Sequence, residues 1–315
     1  MSSALSVRHL LTALTSSLAL NAWAVEVVFH PVAPNVYAFV GDTEGRTYDN
    51  EALNANLGLV VTPEGALLID SGASYLGAQK IAAAARKVSA QPIKWVINTG
   101  GQDHRWMGNG FFKNQDAEIL AHANGQADMT ARGPAHLRSN APVLKEKLAG
   151  TEVVLPTRWL TEADTTLKWG GVTVRVVHRG GGHTPGDSMV WLPQSGVVFT
   201  GDVVYVDRIL GLHPVSKTRT WVQSFAAMQA LKPQVVVPGH GRVTTLAQAQ
   251  KDTGDLLTAL RAHMGKAVET GTDISAAVKR FDAAPFKHLQ HADVWLPQLA
   301  NLTYLVVRSI NTVTK

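Results

Sequence analysis

Four short segments of the chain carry a histidine or an aspartate directly after an apolar run or inside a glycine-rich turn. They are Gln102-Asp103-His104, Gly182-His183-Thr184-Pro185-Gly186-Asp187, Thr200-Gly201-Asp202 and Pro238-Gly239-His240-Gly241. Imidazole and carboxylate groups suit zinc and related divalent ions, and glycines allow loops to bring such ligands together. A single histidine near a turn is usually a surface residue, whereas three histidines and two aspartates in such positions indicate a metal site. The candidate ligands are Asp103, His104, His183, Asp202 and His240.

Several other chemistries lack their sequence motifs in this chain. It has no cysteine, which excludes thiol catalysis and thiolate zinc sites. It also has no Gly-x-Ser-x-Gly nucleophile turn, no Gly-x-x-x-x-Gly-Lys phosphate loop and no His-Glu-x-x-His pair. A metal ion must therefore be held by histidine, carboxylate or weaker oxygen ligands.

Two halves of the chain repeat the same order of elements. In each half an apolar strand belongs to a hairpin, ends at an aspartate within two residues of a glycine (Asp70 or Asp202), and is followed by a helix and another apolar strand. This order predicts an α/β fold in which two β-rich halves pack face to face with helices outside, a four-layer αββα sandwich. The loops at the strand ends would then meet at one edge. The predicted elements are strands at 36–40, 57–61, 66–70, 93–97, 172–177, 189–192, 197–200 and 235–237, with helices at 76–88 and about 220–231.

The remaining regions are less regular. The strands Val197–Phe199 and Val235–Val237 are apolar throughout, which predicts central positions with both faces covered. Residues from about 106 to 148 are predicted to be helical and irregular. A mostly helical segment begins at about residue 245 and completes a single domain of residues 25–315. We interpret Asp70 as a hydrogen-bond partner of the ligands, His122 as a packing or helix-capping residue, and His213 as either a pocket or a surface residue.

The first 24 residues differ from the rest. Arg8 and His9 precede the apolar run Leu10–Leu20, and Ala22-Trp23-Ala24 follows, which is the pattern of a secretory signal peptide cleaved after Ala24. The run is shorter than a bilayer-spanning helix requires, and an uncleaved N-terminal anchor is the alternative interpretation. We therefore predict a periplasmic or secreted protein without a membrane segment after cleavage.

The charge of the chain favours no macromolecular partner. The formal net charge of +5 falls to +4 without residues 1–24, which contain Arg8 and no acidic residue. The positive residues are spread along the chain and form no Lys/Arg run, so we expect no nucleic-acid partner. The expected partner is a small-molecule substrate.

The order and wording of the four segments resemble the metallo-β-lactamase superfamily, over roughly Val36 to His240. The family signature after the first-half strand is Thr-His-x-His-x-Asp-His, often continuing to Gly-Asn. Here the text from Thr99 to Asn109 is Thr-Gly-Gly-Gln-Asp-His-Arg-Trp-Met-Gly-Asn. The Asp-His and Gly-Asn landmarks match, both leading histidines are missing, and the loop is one residue short when those landmarks are aligned.

The resemblance implies a metal centre that has lost part of its ligand set. In the family, the two leading histidines and the histidine of His-Thr-Pro-Gly make a first site, of which only His183 remains. Asp-His, Gly-Asp and Gly-His make a second site, which carries over as Asp103, His104, Asp202 and His240. Gln102 is left open as a weak ligand. The resemblance implies one bound ion, with zinc favoured and iron or a second ion as alternatives.

The function that this implies is a periplasmic mononuclear zinc hydrolase that activates water to cleave an ester, thioester or lactone. Asp103 or Asp202 would orient the water or accept its proton, and His183 would contact the substrate or that water. The alternatives are a non-hydrolytic binding or relay protein on a degenerate fold and, third, a persulfide-oxidising iron enzyme. The sequence of residues 99–106 also resembles that of exported homologues associated with quinoprotein oxidation and sulfur oxidation. This resemblance implies a periplasmic quinoprotein system as a partner.

Overall fold

The computed structural model describes residues 25–313, with side chains from residue 25 to residue 309. The predicted signal peptide, residues 1–24, lies outside the described residues. Among the described residues, no helix is both long enough and apolar enough to cross a membrane.

Seven strands in chain order form the first sheet. They are β1 (His30–Ala33), β2 (Val36–Phe39), β3 (Leu57–Thr62), β4 (Gly65–Ile69), β5 (Ile93–Asn98), β6 (Glu118–His122) and β7 (Arg158–Leu160). The first four strands pair antiparallel, and the pairs from β4 to β7 are parallel. Parallel strands end at the same edge of a sheet, so the chain segments that follow β4, β5 and β6 lie side by side.

Five strands form the second sheet. They are β8 (Asp164–Trp169), β9 (Val172–His178), β10 (Ser188–Leu192), β11 (Val197–Phe199) and β12 (Val235–Val237), and the spatial order is β12-β11-β10-β9-β8. The pair β11 and β12 is parallel, as is β4 and β5, so both halves contain a strand-helix-strand unit.

Nine α-helices cover the described sheets. They are α1 (Tyr75–Val88), α2 (Asp103–Trp106), α3 (Asn109–Lys113), α4 (Gln126–Leu144), α5 (Thr218–Ala230), α6 (Leu246–Ala249), α7 (Asp255–Glu269), α8 (Ile274–Arg280) and α9 (Ala292–Val313). The sequence of α1 shows why it forms: the Ser74 hydroxyl caps it by accepting from Gly77 N at 3.0 Å, and Ala78, Ile81 and Ala85 repeat at helical spacing on its buried face.

Three apolar layers hold the fold together. The middle layer joins the two sheets, with Leu67 and Ile97 of the first against Val190 and Phe199 of the second. One outer layer packs α1 on the first sheet, and the other packs α5, α7 and α9 on the second. Each sheet is therefore buried on both faces, and the predicted αββα sandwich is confirmed.

Two details differ from the sequence prediction. β11 lies between β10 and β12, as predicted, but the prediction of a central position for Val235–Val237 is wrong because β12 ends the second sheet. Its outer side is covered by Thr244, which exchanges backbone hydrogen bonds of 3.0 and 2.8 Å with Val236. Paired in this way, an edge strand can be as apolar as a central one. In addition, the region predicted to be helical and irregular contains β6.

Candidate metal centre

Four loops at strand ends bring the predicted site together. His104 lies in α2, which begins shortly after β5 ends, and His183 lies in the turn between β9 and β10. Asp202 lies in a 3₁₀ turn directly after β11, and His240 follows β12. All four residues are buried, none being more than 5% exposed.

Asp202 is the centre of this group. Its Oδ2 lies 3.3 Å from His104 Nε2, its Oδ1 lies 3.2 Å from His240 Nε2, and His183 Nε2 is 4.0 Å from Oδ2. One ligand atom from each of His104, Asp202 and His240 lies within 4.8 Å of the other two. Three imidazoles and one carboxylate therefore surround a space small enough for a single ion.

The protonation of the histidines tests whether a metal ion fits. His240 Nδ1 lies 2.7 Å from Asn54 O, and His183 Nδ1 lies 3.0 Å from Gly211 O. A carbonyl oxygen only accepts, so both Nδ1 atoms donate and both Nε2 atoms carry a lone pair. The Nε2 lone pair of His240 thus faces a carboxylate oxygen of Asp202.

A second proton on His240 would relieve that contact, but burial holds the pKa of His240 well below its usual range. A divalent cation between the two acceptors resolves the conflict. The buried Nδ1 of His104 is also without a hydrogen-bond partner among the described residues. The donor set and its tautomers fit a metal ion, and the carbonyls of residues 54 and 211 orient two of its histidines.

Asp103 lies apart from this group. Its carboxylate is bound by Arg46, by Asn140 Nδ2 at 2.9 Å and by Gln102 Nε2 at 3.1 Å. Burial raises the pKa of Asp103, but the charges of Arg46 and His104 outweigh burial and hold that pKa well below its usual range. Successive residues of a helix point about 100° apart, so Asp103 and His104 at the start of α2 face different ways.

This geometry agrees with an alignment of the family signature that has no gap. Starting at Thr99, the leading histidines of the signature fall on Gly100 and Gln102, its aspartate falls on His104 and its last histidine falls on Arg105. His104 then occupies the position of the signature aspartate, and the loop need not be one residue short.

Arg105, which the sequence reasoning did not single out, is fully buried beneath the site. Its guanidinium binds both oxygens of Asp202, with Nε to Oδ2 at 3.2 Å and Nη2 to Oδ1 at 2.6 Å, and Nη1 donates to Asp70 Oδ2 at 3.0 Å. It also donates to the carbonyls of Asn56 and Gly239, each at 3.0 Å. Burial raises the pKa of Asp70 to about 6, against the opposing charge of Arg105. Asp70 therefore contacts the site through Arg105 and Thr99.

The loop in which the two leading histidines are missing is closely packed. A Cβ added at Gly100 would lie 2.5 Å from Asp187 Oδ1, and one at Gly101 would lie 2.7 Å from Asp128 Oδ2. Arg132 forms an ion pair with Asp128 there and donates to Gly101 O and Gln102 Oε1, both at 3.3 Å. The amide oxygen of Gln102 is thus engaged by Arg132, whose guanidinium charge lies beside residues 101 and 102.

The candidate site opens into a pocket of about 290 Å³. Tyr205, also missed by the sequence reasoning, stacks on His240 at a centroid distance of 4.7 Å. The His213 ring lies 4.8 Å from that of His183, so His213 is a pocket residue. Two arginines and a set of apolar side chains complete the lining: Arg46, Arg208, Leu210, Leu212, Trp295, Leu299 and Leu302.

Two distant segments meet at the rim of this pocket. Thr43 and Glu44 both bind the side chain of Gln290, and His291 Nε2 lies 3.2 Å from Glu44 Oε2. Gln290 and His291 immediately precede α9, so the loop after β2 and the last helix form one wall.

Away from the pocket, His122 behaves as the sequence predicted. Its Nδ1 accepts from Asn124 N at 3.3 Å at the start of a 3₁₀ turn, and its ring stacks on His178 at 3.7 Å. It is a capping and packing residue.

Comparison with known proteins places the chain in a family. The sequence model of the metallo-beta-lactamase superfamily matches residues 50–240. A linear primary-alkylsulfatase from a Pseudomonas species is 22% identical over 218 residues, which are 58% of this chain and 41% of the relative. A type 2 metallo-beta-lactamase from a Bacillus species is 26% identical over 209 residues, which are 64% of this chain and 72% of the relative.

Among solved structures, the stereoselective inverting sec-alkylsulfatase Pisa1 from a Pseudomonas species superposes with a TM-score of 0.70 at 14% identity. The match covers 88% of this chain and 50% of that one. This chain thus spans about two fifths of the first alkylsulfatase and half of the second. The family match covers more than half of the chain and contains all four residues of the centre, and the chain therefore belongs to the metallo-beta-lactamase superfamily.

Proposed function

We propose that this protein is a metal-dependent hydrolase with a single ion, held by His104, Asp202 and His240. The observation that carries the proposal is the pair of facing acceptors, His240 Nε2 and Asp202 Oδ1, at 3.2 Å. Two or three imidazoles with a carboxylate are a ligand set that zinc accepts. When bound, zinc would lower the pKa of a water ligand to about 7 and polarise a substrate carbonyl, phosphoryl or sulfuryl oxygen.

The residues around the proposed ion site have distinct roles. Arg105 and Asp70 hold the Asp202 carboxylate in one orientation. Burial lowers the pKa of His183 to about 4, so its Nε2 is neutral near pH 7 and can accept a proton from a water or a substrate group in the pocket. Asp103 fixes Arg46 at the pocket wall, and we assign it this positioning task in place of the catalytic one expected from the sequence.

The family, and relatives named as an alkylsulfatase and a lactamase, support hydrolysis of a small molecule. We propose an ester-type substrate, which includes carboxylic esters, thioesters, lactones and sulfate esters. The sequence pattern of residues 1–24 supports export to the periplasm. The sequence of residues 99–106 supports an accessory role in a quinoprotein oxidation system.

Metal analysis of the purified protein tests the proposed centre. The wild type should hold one equivalent of zinc, and His240→Ala and Asp202→Asn should lose it. His183→Ala should keep the zinc and lose hydrolysis of a panel of aryl and alkyl esters. Asp103→Asn is the matched control, and it should keep the zinc because its carboxylate binds Arg46 and Asn140.

Two equivalents of tightly bound metal, or zinc retained by His240→Ala, would contradict this ligand set. A zinc-loaded protein that hydrolyses no ester in the panel would instead favour the binding or relay protein.

A further inference from the structure

Arg208 is a buried cation with poor partners. The residue is 6% exposed, and among the described residues it forms no ion pair with a carboxylate. Its one hydrogen bond to a carbonyl, Nη1 to Glu44 O, is 3.5 Å long. The other contact of Nη1, with His240 Nδ1 at 3.4 Å, cannot be a hydrogen bond, because that Nδ1 donates to Asn54 O.

Arg105 shows what a buried arginine in this protein otherwise has. Arg105 reaches two carboxylates and two carbonyls. Among the described residues, Arg208 has the long hydrogen bond to Glu44 O and the faces of Tyr205 and Trp295, whose ring centroids lie 5.9 and 5.0 Å from its Cζ. Buried arginines are rarely left without an anion. Arg208 lines the pocket, so an anion bound in the pocket can supply the missing partner.

Arg46 adds a second positive charge to the same pocket. One of its terminal nitrogens binds Asp103, while its buried Nε has no partner among the described residues. The side chain is 30% exposed and lines the pocket. Among the described residues, the lining thus carries two guanidinium groups and no carboxylate.

Four leucines also line the pocket. Leu210 and Leu212 come from the loop after Arg208, and Leu299 and Leu302 lie on α9. Leu299 and Leu302 are one turn apart on one helix face. α9 lies outside residues 50–240, so Leu299 and Leu302 come from a part of the chain that the superfamily model does not match. A pocket lined by two guanidinium groups and four leucines suits a ligand with an anionic head group and an apolar chain.

We propose that the pocket binds an organic anion with an aliphatic chain, its charged head group on Arg208 and Arg46 and its chain along Leu212, Leu299 and Leu302. The claim that this anion is the substrate rests on the proposed hydrolase function. The claim that the pocket binds it does not depend on hydrolysis. A carboxylate or a sulfate head group would satisfy the same two arginines, and the experiment separates the two.

Isothermal titration calorimetry on the purified zinc-loaded protein provides the test, with probes kept below their critical micelle concentrations. Decyl sulfate and decanoate carry the two head groups, and decanol and decyltrimethylammonium are the neutral and cationic comparisons. We expect at least one anion to bind ten times more tightly than decanol, and the cation to bind more weakly still. From hexyl to decyl, each added methylene should strengthen binding about fourfold.

Variants locate the two parts of the site. Arg208→Gln should weaken binding of the decyl anion about ten- to hundredfold and leave decanol unchanged, since a charge-assisted hydrogen bond is lost. Arg208→Lys, which keeps the charge, should lose less. Arg175→Gln is the matched control, because Arg175 pairs with Asp164 at the surface. Leu302→Ala should reduce the chain-length dependence, and Leu305→Ala, on the same helix but 47% exposed, should not.

Equal affinity for decanol and the decyl anions would overturn the proposal, as would the same loss for anion and alcohol in a folded Arg208→Gln or Arg208→Lys protein. The hydrolase proposal is tested by other measurements, zinc content and ester turnover, so its failure can be distinguished from failure of the binding proposal. A protein that binds decyl sulfate and hydrolyses nothing would keep this binding site and lose the proposed function.

Discussion

Replacement of Arg105 by methionine tests how the charges beneath the metal centre are balanced. Methionine keeps an unbranched buried side chain and removes the guanidinium that joins Asp202 to Asp70. Both carboxylates would then remain buried, 1% exposed or less, without their cation. Two backbone carbonyls, of Asn56 and Gly239, would each lose a hydrogen bond.

The expected loss in the free energy of unfolding follows from these lost contacts. Removing one partner of a buried ion pair costs about 3–5 kcal/mol, because the charge left behind is uncompensated. For a domain of this size that loss lowers the melting temperature by about 10 °C. The pKa of Asp70 is already raised to about 6 by burial, and loss of Arg105 would raise it further. The destabilisation should therefore be smaller at pH 5, where Asp70 is protonated, than at pH 8.

Urea unfolding followed by circular dichroism, on metal-free protein at both pH values, measures this free energy. Arg175→Met is the control, since it breaks a surface pair with Asp164, and such pairs contribute about 0–1 kcal/mol. A loss in Arg105→Met no larger than that of the control, or one independent of pH, would show that the guanidinium does not balance these carboxylates.

Two further predictions concern Asp187, in the turn that follows β9, and the packing of Gly100 against it. Burial, together with the charge of Asp202, raises the pKa of Asp187 to about 8, so the folded protein holds a proton that the unfolded chain releases near pH 4. Its stability should fall as pH rises from about 4 to about 8, and Asp187→Asn should reduce that slope in urea unfolding; an unchanged slope would refute the assignment. Gly100→Ala should destabilise, because its Cβ would meet Asp187 Oδ1 at 2.5 Å, whereas Gly265→Ala in α7, with nothing within 4 Å, should stabilise by up to about 1 kcal/mol, and equal effects in thermal unfolding would contradict the geometry.

The fold was predictable where a buried strand is a run of consecutive apolar residues. The strands β3 and β4 are buried almost throughout, and the Pro63-Glu64-Gly65 turn marks their hairpin. β8 gave no such signal, because only Leu167 of its six residues is buried. β6 is five residues long and lies between helices, so its apolar core of three residues resembles a buried helical turn.

The metal centre was predictable in its residue types and less so in its membership. His104, Asp202 and His240 stand at strand ends, which is a feature of the sequence alone. The separation of Asp103 from His104 depends on α2, a helix of four residues that no periodic pattern marks. The roles of Arg105 and Arg208 depend on partners far along the chain, such as Asp202, 97 residues beyond Arg105, and no short motif records such a contact.

The bonds from Thr43 and Glu44 to Gln290 separate the integrity of the pocket from that of the candidate metal centre. The histidines and the aspartate of the centre all precede residue 241, whereas part of the pocket lining comes from α9, which packs beside the loop after β2. A change that detaches α9 from this loop would therefore open the pocket and leave the ligands of the centre in place. Metal content and substrate selectivity are thus carried by different parts of one chain and can change independently.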